Sequence, residues 1–278
     1  MKNNLITYCI SFLIIFLINL NAYSQEQFNF EVTEIEILEN GNIYKGLNRG
    51  IIITDDGIKI IADEFIYNKN LNILNANGNI ELIDTIKNLK ITTERVKYLK
   101  NEEKIFTEGN SKALDQNGIE LTANRFEYDK FKNIFDAYEN VKIINPKKNY
   151  VIYANDQATY FKKIEKISTK GKTKSIIKSK YIVDSYDVIY LINENLVSSK
   201  EEATINDLNS NFYFLENFIF DVKEEILKGE DILVVTNFGL PKSDTMYFSG
   251  AHINFKEKSF IAENTKVKVH KDVFDDTN

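Results

Sequence analysis

Two histidines, one cysteine and a short glycine–lysine–threonine run are the first places to look for chemistry in this 278-residue sequence. His252 and His270 stand far apart with no ligand-like partners beside them. A lone histidine on a strand is ordinarily structural, so no metal site is expected. Gly171-Lys172-Thr173 matches the end of a phosphate-binding loop, but Lys166 occupies the upstream glycine position. The row of backbone N–H groups that would cradle a phosphate is therefore missing. No nucleophile elbow, zinc spacing or paired-carboxylate signature occurs. The carboxylates are scattered over alternating polar positions, as a solvated face requires. The chain reads as a non-enzyme without a cofactor.

One charge anomaly remains. From Lys162 to Lys180 there are eight lysines against Glu165 alone. Lys170, Lys172 and Lys174 at its centre are the candidates for contact with phosphates or acidic sugars. The competing reading is a solvated strand pair whose charge resists edge-to-edge aggregation. Over the whole sequence 41 acidic residues outnumber 35 basic ones, for a net charge of −6. That balance argues against a nucleic-acid partner.

The N-terminus reads as an export signal. Lys2 precedes an apolar run from Leu5 to Leu20, and Ala22-Tyr23-Ser24 gives the small-x-small cleavage pattern. Residues 1–24 are the expected signal peptide and 25–278 the expected repeat domain. Cys9 lies inside the signal, so no disulfide or thiol chemistry is expected afterwards. About 254 residues remain, enough to bury a core.

The elements that would position any functional group come from a repeat. Tyr67, Tyr98, Tyr128, Tyr160 and Tyr190 fall 31, 30, 32 and 30 residues apart, and Ile37, Phe220 and Phe255 extend the series. Before each marker, apolar residues alternate up to a small residue and then resume one residue out of step. Ile58, Ile60 and Ala62 lead to Phe65 and Tyr67, and Ile119, Leu121 and Ala123 lead to Phe126 and Tyr128. Phe28, Phe30 and Val32 lead in the same way to Ile35 and Ile37. Alternation of period two means strands with one apolar face. A one-residue slip would put the second apolar pair on the wrong face, so a bulge or corner is needed there. After each marker comes a second strand, with Leu74, Ala76, Gly78, Ile80 and Leu82 as its type case. Its glycine, repeated at Gly109 and Gly171, marks a kink. Polar runs such as Asn68-Lys69-Asn70 and Asp115-Gln116-Asn117-Gly118 supply the turns. The expected architecture is all-β: about eight tandem copies, about sixteen antiparallel strands, and an elongated roll of two facing layers.

The segments Ala62 to Asp84 (ADEFIYNKNLNILNANGNIELID) and Ala123 to Asn145 (ANRFEYDKFKNIFDAYENVKIIN) resemble the repeat of the OstA-like family. That family includes the periplasmic bridge protein LptA and the periplasmic domain of the lipopolysaccharide-assembly protein LptD. The resemblance covers nearly the whole chain after residue 24. It implies a β-jellyroll, or β-taco, whose apolar interior holds lipid A acyl chains. Eight copies exceed the usual bridge protein and look more like the LptD domain. The outer-membrane barrel and cross-linking cysteines of LptD are absent here, so either a fragment of an LptD-like protein or a free-standing LptA-like relative is expected. The implied setting is the periplasm, in association with the outer membrane. The implied partners are lipopolysaccharide, other Lpt bridge proteins joined by strand-edge pairing, and a barrel domain or lipoprotein in the LptD case.

The lipid groove would be lined by Ile60, Ala62, Phe65, Ile80, Leu82, Leu121, Ala123, Phe126, Val141 and Ile143. Sheltering an acyl chain of about twelve carbons at roughly 0.8 kcal/mol per methylene needs on the order of 10 kcal/mol of apolar contact. Small residues such as Ala62 and Ala123 would leave room for it. A structural or adhesive repeat protein with a self-packed core satisfies the same pattern. A polysaccharide-degrading parallel β-helix does not, because it needs shorter coils and a clustered acidic site.

Overall fold

The structure is a computed structural model that describes residues 28–240 and 242–268. The expected signal peptide with Cys9, and His270, lie outside the described residues. The rest forms one antiparallel sheet of 28 strand segments, with no α-helix among the described residues. Four segments (Ile73–Asp84, Leu89–Leu99, Ile226–Val235 and Thr245–Asn254) run unbroken through the bend, and the other 24 pair up two to a strand. The result is sixteen bent strands, each bonded to its neighbours in sequence, with the first and the last at the two edges.

Every bent strand contributes to two walls. In one copy, Ile58–Ala62 lies in the first wall and Glu64–Asn68 in the second. Ile58, Ile60 and Ala62 are buried, and beyond Asp63 the buried positions become Phe65 and Tyr67. The parity slip is thus a corner, and it turns both apolar sets toward the same interior. The next strand answers in register, with Phe65 opposite Ala76 and Ile60 opposite Leu82. Its own bend is a bulge between Asn77 and Ile80, where one extra residue adds the required twist.

Backbone conformation holds the corner. Gly78 sits at φ +77°, and a Cβ there would lie 2.5 Å from the Asp63 carboxylate. Asp63 itself accepts from Arg49 at 2.8 Å and from Asn79 at 2.7 Å. Gly171, the glycine of the rejected phosphate-loop match, occupies an equivalent corner at φ +76°. Gly118 also has positive φ but open space around its Cβ position. Gly78→Ala is therefore expected to cost about 2 kcal/mol and Gly118→Ala about 1 kcal/mol, read as shifts in urea midpoint at constant slope. Equal costs at the two sites would show that the corner contact with Asp63 contributes nothing.

At the free ends of the walls, short turns reverse the chain. Asp84 Oδ1 accepts from the N–H groups of Ile86 and Lys87, and Asn88 closes that turn at φ +48°. Asx-turns of this kind are what short polar side chains favour. Turns of the first wall and turns of the second face each other along a line that runs the length of the roll, its mouth.

The first copy departs from expectation. Ile35 and Ile37 have the inward register, opposite Gly46 and Tyr44, yet both are exposed. Among the described residues their strand is bonded on one side only, and no described strand covers that end of the second wall.

Candidate functional site

The ten groove candidates all point between the walls. Ile60, Ala62, Phe65, Ile80 and Leu82 form one patch, and Leu121, Ala123, Phe126, Val141 and Ile143 another. None is more than 6 % exposed. Leu121 lies opposite Ile143, and the Phe126 ring meets Phe135 edge-on at 6.0 Å. Through this mid-section the walls pack directly against each other. At the N-terminal end an aromatic cluster fills the space, with Phe28 4.4 Å from Tyr67 and Phe30 stacked on Tyr44 at 5.9 Å.

Lys170, Lys172 and Lys174 are exposed and lie at or beside the Gly171 corner, on the side opposite the mouth. The lysine run is split by the strand path. Lys162, Lys178 and Lys180 belong to turns at the mouth instead. His252 is an exposed strand residue opposite Lys228 and Ile261.

The mouth carries a set of ties that the repeat pattern does not announce. Near the N-terminal end, Asp56 in a first-wall turn takes hydrogen bonds from Tyr98 at 2.5 Å and from Lys130, both on the second wall. Lys100 pairs with Asp55 at 2.7 Å and Asp56 at 2.9 Å. Burial opposes ionisation of Asp56, but hydrogen bonds from Lys130, Thr54, Tyr98 and Lys100 outweigh it and hold the carboxyl well below the ordinary range. Burial, together with the adjoining Asp56 carboxylate, pushes the Tyr98 hydroxyl far up. One repeat further on, Tyr128 donates to Asp84 at 3.2 Å, and one further still, Tyr160 donates to Asp115 at 3.3 Å. Lys162 reaches into this stretch. Burial pushes its ammonium down, and Asp115 and Asp84 oppose that.

The last crossing is at Glu225. Lys178 (3.0 Å), Lys180 (2.8 Å) and Tyr181 (2.7 Å) on the first wall all donate to its carboxylate. Burial works against the charge, yet these three donors hold Glu225 at a pKa of about 2. Beyond it, no tyrosine tie crosses the mouth among the described residues. Asp207 is met by Tyr213 of its own wall at 3.5 Å, and the next marker is Phe255, which has no hydroxyl. There the interior opens into a cavity of about 620 Å³, lined by Tyr181, Tyr213, Met246, Phe248 and Phe255, with Lys180 and Lys258 at its rim.

No family model matches this sequence, and no curated protein matches it. Among solved structures, the chain is similar to LptH of Pseudomonas aeruginosa, described as the LptA-homologous periplasmic component of the conserved lipopolysaccharide transport device. The identity is 10%, the match covers 42% of this chain and 93% of that one, and the TM-score is 0.39.

The mouth ties do leave a mark in the sequence. Asp84 and Asp115, two of the tie carboxylates, fall 31 residues apart, each just before a turn. Taken singly they look like ordinary turn formers. Their recurrence in step with the tyrosines was the available signal.

Proposed function

We propose that this chain is a periplasmic lipid carrier of lipopolysaccharide transport, associated with the outer membrane. It acts either as the β-jellyroll of an LptD-like assembly protein or as an LptA-like bridge. The observation that carries this reading is one continuous apolar inner surface, tied shut along most of its length and opening at the C-terminal end into a cavity of about 620 Å³. A cavity of that size, with Tyr213, Met246, Phe248 and Phe255 on one part of its lining and Asp207, Asn209, Asn211 and Asn237 on another, suits an amphiphile. The two end strands support it as well. Among the described residues Glu34–Leu38 and Ser259–Glu263 are each bonded on one side only, and such edges pair readily with a strand of another protein. For a bridge reading the partner is another Lpt roll. For an LptD-like reading it is the barrel domain or its lipoprotein, and the eight-copy length favours that version.

The packed mid-section favours a second reading, a structural repeat protein with a filled core. One experiment separates the two. Photo-crosslinking residues are placed at Phe248, in the cavity, and at Leu82 and Phe126, in the packed section. Lipopolysaccharide adducts in cells are expected at Phe248 first. Adducts at all three sites would mean that the ties open along the whole mouth to admit the ligand. Adducts at none, with the protein in the periplasm, would overturn the carrier and leave the filled-core reading.

A further inference from the structure

The rim of the mouth carries a pattern that neither a solvated turn nor a packed core requires. Five consecutive turns, at residues 116–119, 130–133, 146–149, 162–165 and 178–180, hold eight lysines and one carboxylate, Glu165. This is a basic stretch on a chain of net charge −6. Lys130, Lys178 and Lys180 are used in the cross-mouth ties. Lys132, Lys147, Lys148 and Lys163 are exposed. Their protein contacts are light: Lys132 pairs with Asp129 at 3.1 Å, Lys148 donates to Asn195 at 3.2 Å, and Lys163 to the Phe131 carbonyl at 3.4 Å.

Large apolar side chains stand among these lysines at the turn tips. Phe131 is 74 % exposed and Ile164 62 %; Ile86, 64 % exposed, stands beside Lys87 in an earlier turn at 85–88. Apolar residues at such tips serve no packing purpose, and turn chemistry asks for Asn, Gly or Asp there. The Lys163–Phe131 contact makes two of the tips neighbours. The cross-mouth ties bring the turns of both walls onto one face. That face is a line of apolar tips set in a band of lysines, the combination that enters a lipid headgroup layer while the ammonium groups stay at its anionic surface.

We propose that this rim docks the protein, mouth first, on an anionic bilayer surface. Charge complementarity decides the occupant: the lysines need a dense negative surface, and the tips need an apolar layer immediately beneath it. An acidic protein supplies the first and not the second. The proposal stands apart from the lipid-carrier reading, since a filled-core protein with this rim would dock equally well.

The test uses the full chain in a Cys9→Ser background, with a polarity-sensitive fluorophore on Phe131→Cys or, as control, on Lys174→Cys at the far side. The probes are vesicles of phosphatidylcholine alone or with about one third phosphatidylglycerol. A blue shift is expected at residue 131 on anionic vesicles only, with none at residue 174. Because each lysine at an anionic surface is worth about fivefold in binding, replacing Lys132, Lys147, Lys148 and Lys163 together by Gln should weaken this site-specific signal at least about a hundredfold. The readout is local to residue 131, so the apolar stretch Leu5 to Leu20, common to every variant, does not mask it. No shift at 131, an equal shift at 174, an equal shift on neutral vesicles, or a shift with polyglutamate but not with vesicles would each overturn the proposal.

Discussion

Asp56→Ala is expected to lower the free energy of unfolding at neutral pH by about 3 to 5 kcal/mol, the cost of breaking a buried ion pair by removing one partner. The carboxylate is the acceptor for Tyr98, Lys100 and Lys130 together. Lys130 is buried, and Asp56 supplies both the carboxylate and the backbone carbonyl to which it donates. Without the side chain, the buried Lys130 ammonium keeps only the backbone carbonyl at 3.2 Å and loses its counter-charge, and the buried Tyr98 phenol loses its acceptor, so desolvation costs are left uncompensated. Replacing Lys130 by Met in the same variant should restore part of the loss, because the stranded charge is then gone. Urea unfolding of the single and double variants measures both effects. A loss below about 1 kcal/mol for Asp56→Ala would mean that the tie behaves as a surface pair.

The sign of the pH dependence follows from the same groups. Asp56 and Glu225 both have carboxyls held below their ordinary values in the fold. Their contribution is therefore complete above the unfolded-state pKa. For Glu225 it is lost only as the pH falls from about 4.5 toward about 2. Between pH 5 and 8 the Asp56 and Glu225 carboxylates therefore stay ionised and their ties keep full strength.

Phe126→Ala is the second large effect, expected at about 3 to 5 kcal/mol. The ring is 2 % exposed, lies edge-on to Phe135, and Phe135 in turn stacks on Tyr128 at 4.3 Å. Deleting it leaves a void between walls that the ties hold at fixed separation. Phe260→Ala, on the open edge strand and half exposed, should cost under about 1 kcal/mol. The contrast bears on function. If the mid-section normally made room for acyl chains, truncating Phe126 would be tolerated almost as well as truncating Phe260.

The repeat and its bend were legible because both are written in side-chain parity. The shift from Ile58, Ile60 and Ala62 to Phe65 and Tyr67 can be satisfied in only one way, by a corner. The count of sixteen strands followed, although twelve of them break into two segments where the ladder is interrupted. Closure was not legible, because it depends on which turn tips meet across the mouth. Tyr98, Tyr128 and Tyr160 mark the repeat in the sequence, but nothing local says that their hydroxyls cross to the opposite wall. Ile35 and Ile37 carry the inward pattern and lack only a neighbouring strand to cover them. The lysine run looked like a single feature. The strand path sends Lys170, Lys172 and Lys174 to the corner side, and Lys162, Lys178 and Lys180 to the mouth.

The tyrosine ties also impose an order of assembly. Each bent strand bonds only to its predecessor and successor, so a chain supplied N-terminus first can add hairpins one at a time. The ties are different, because they join residues 42 to 45 positions apart. A stretch of wall can form well before the residue that shuts it has arrived. The youngest one and a half repeats of a growing roll are thus always unlatched, with their apolar lining accessible. Among the described residues no later tyrosine crosses to Asp207, so the lining there stays as accessible as it is in the growing roll.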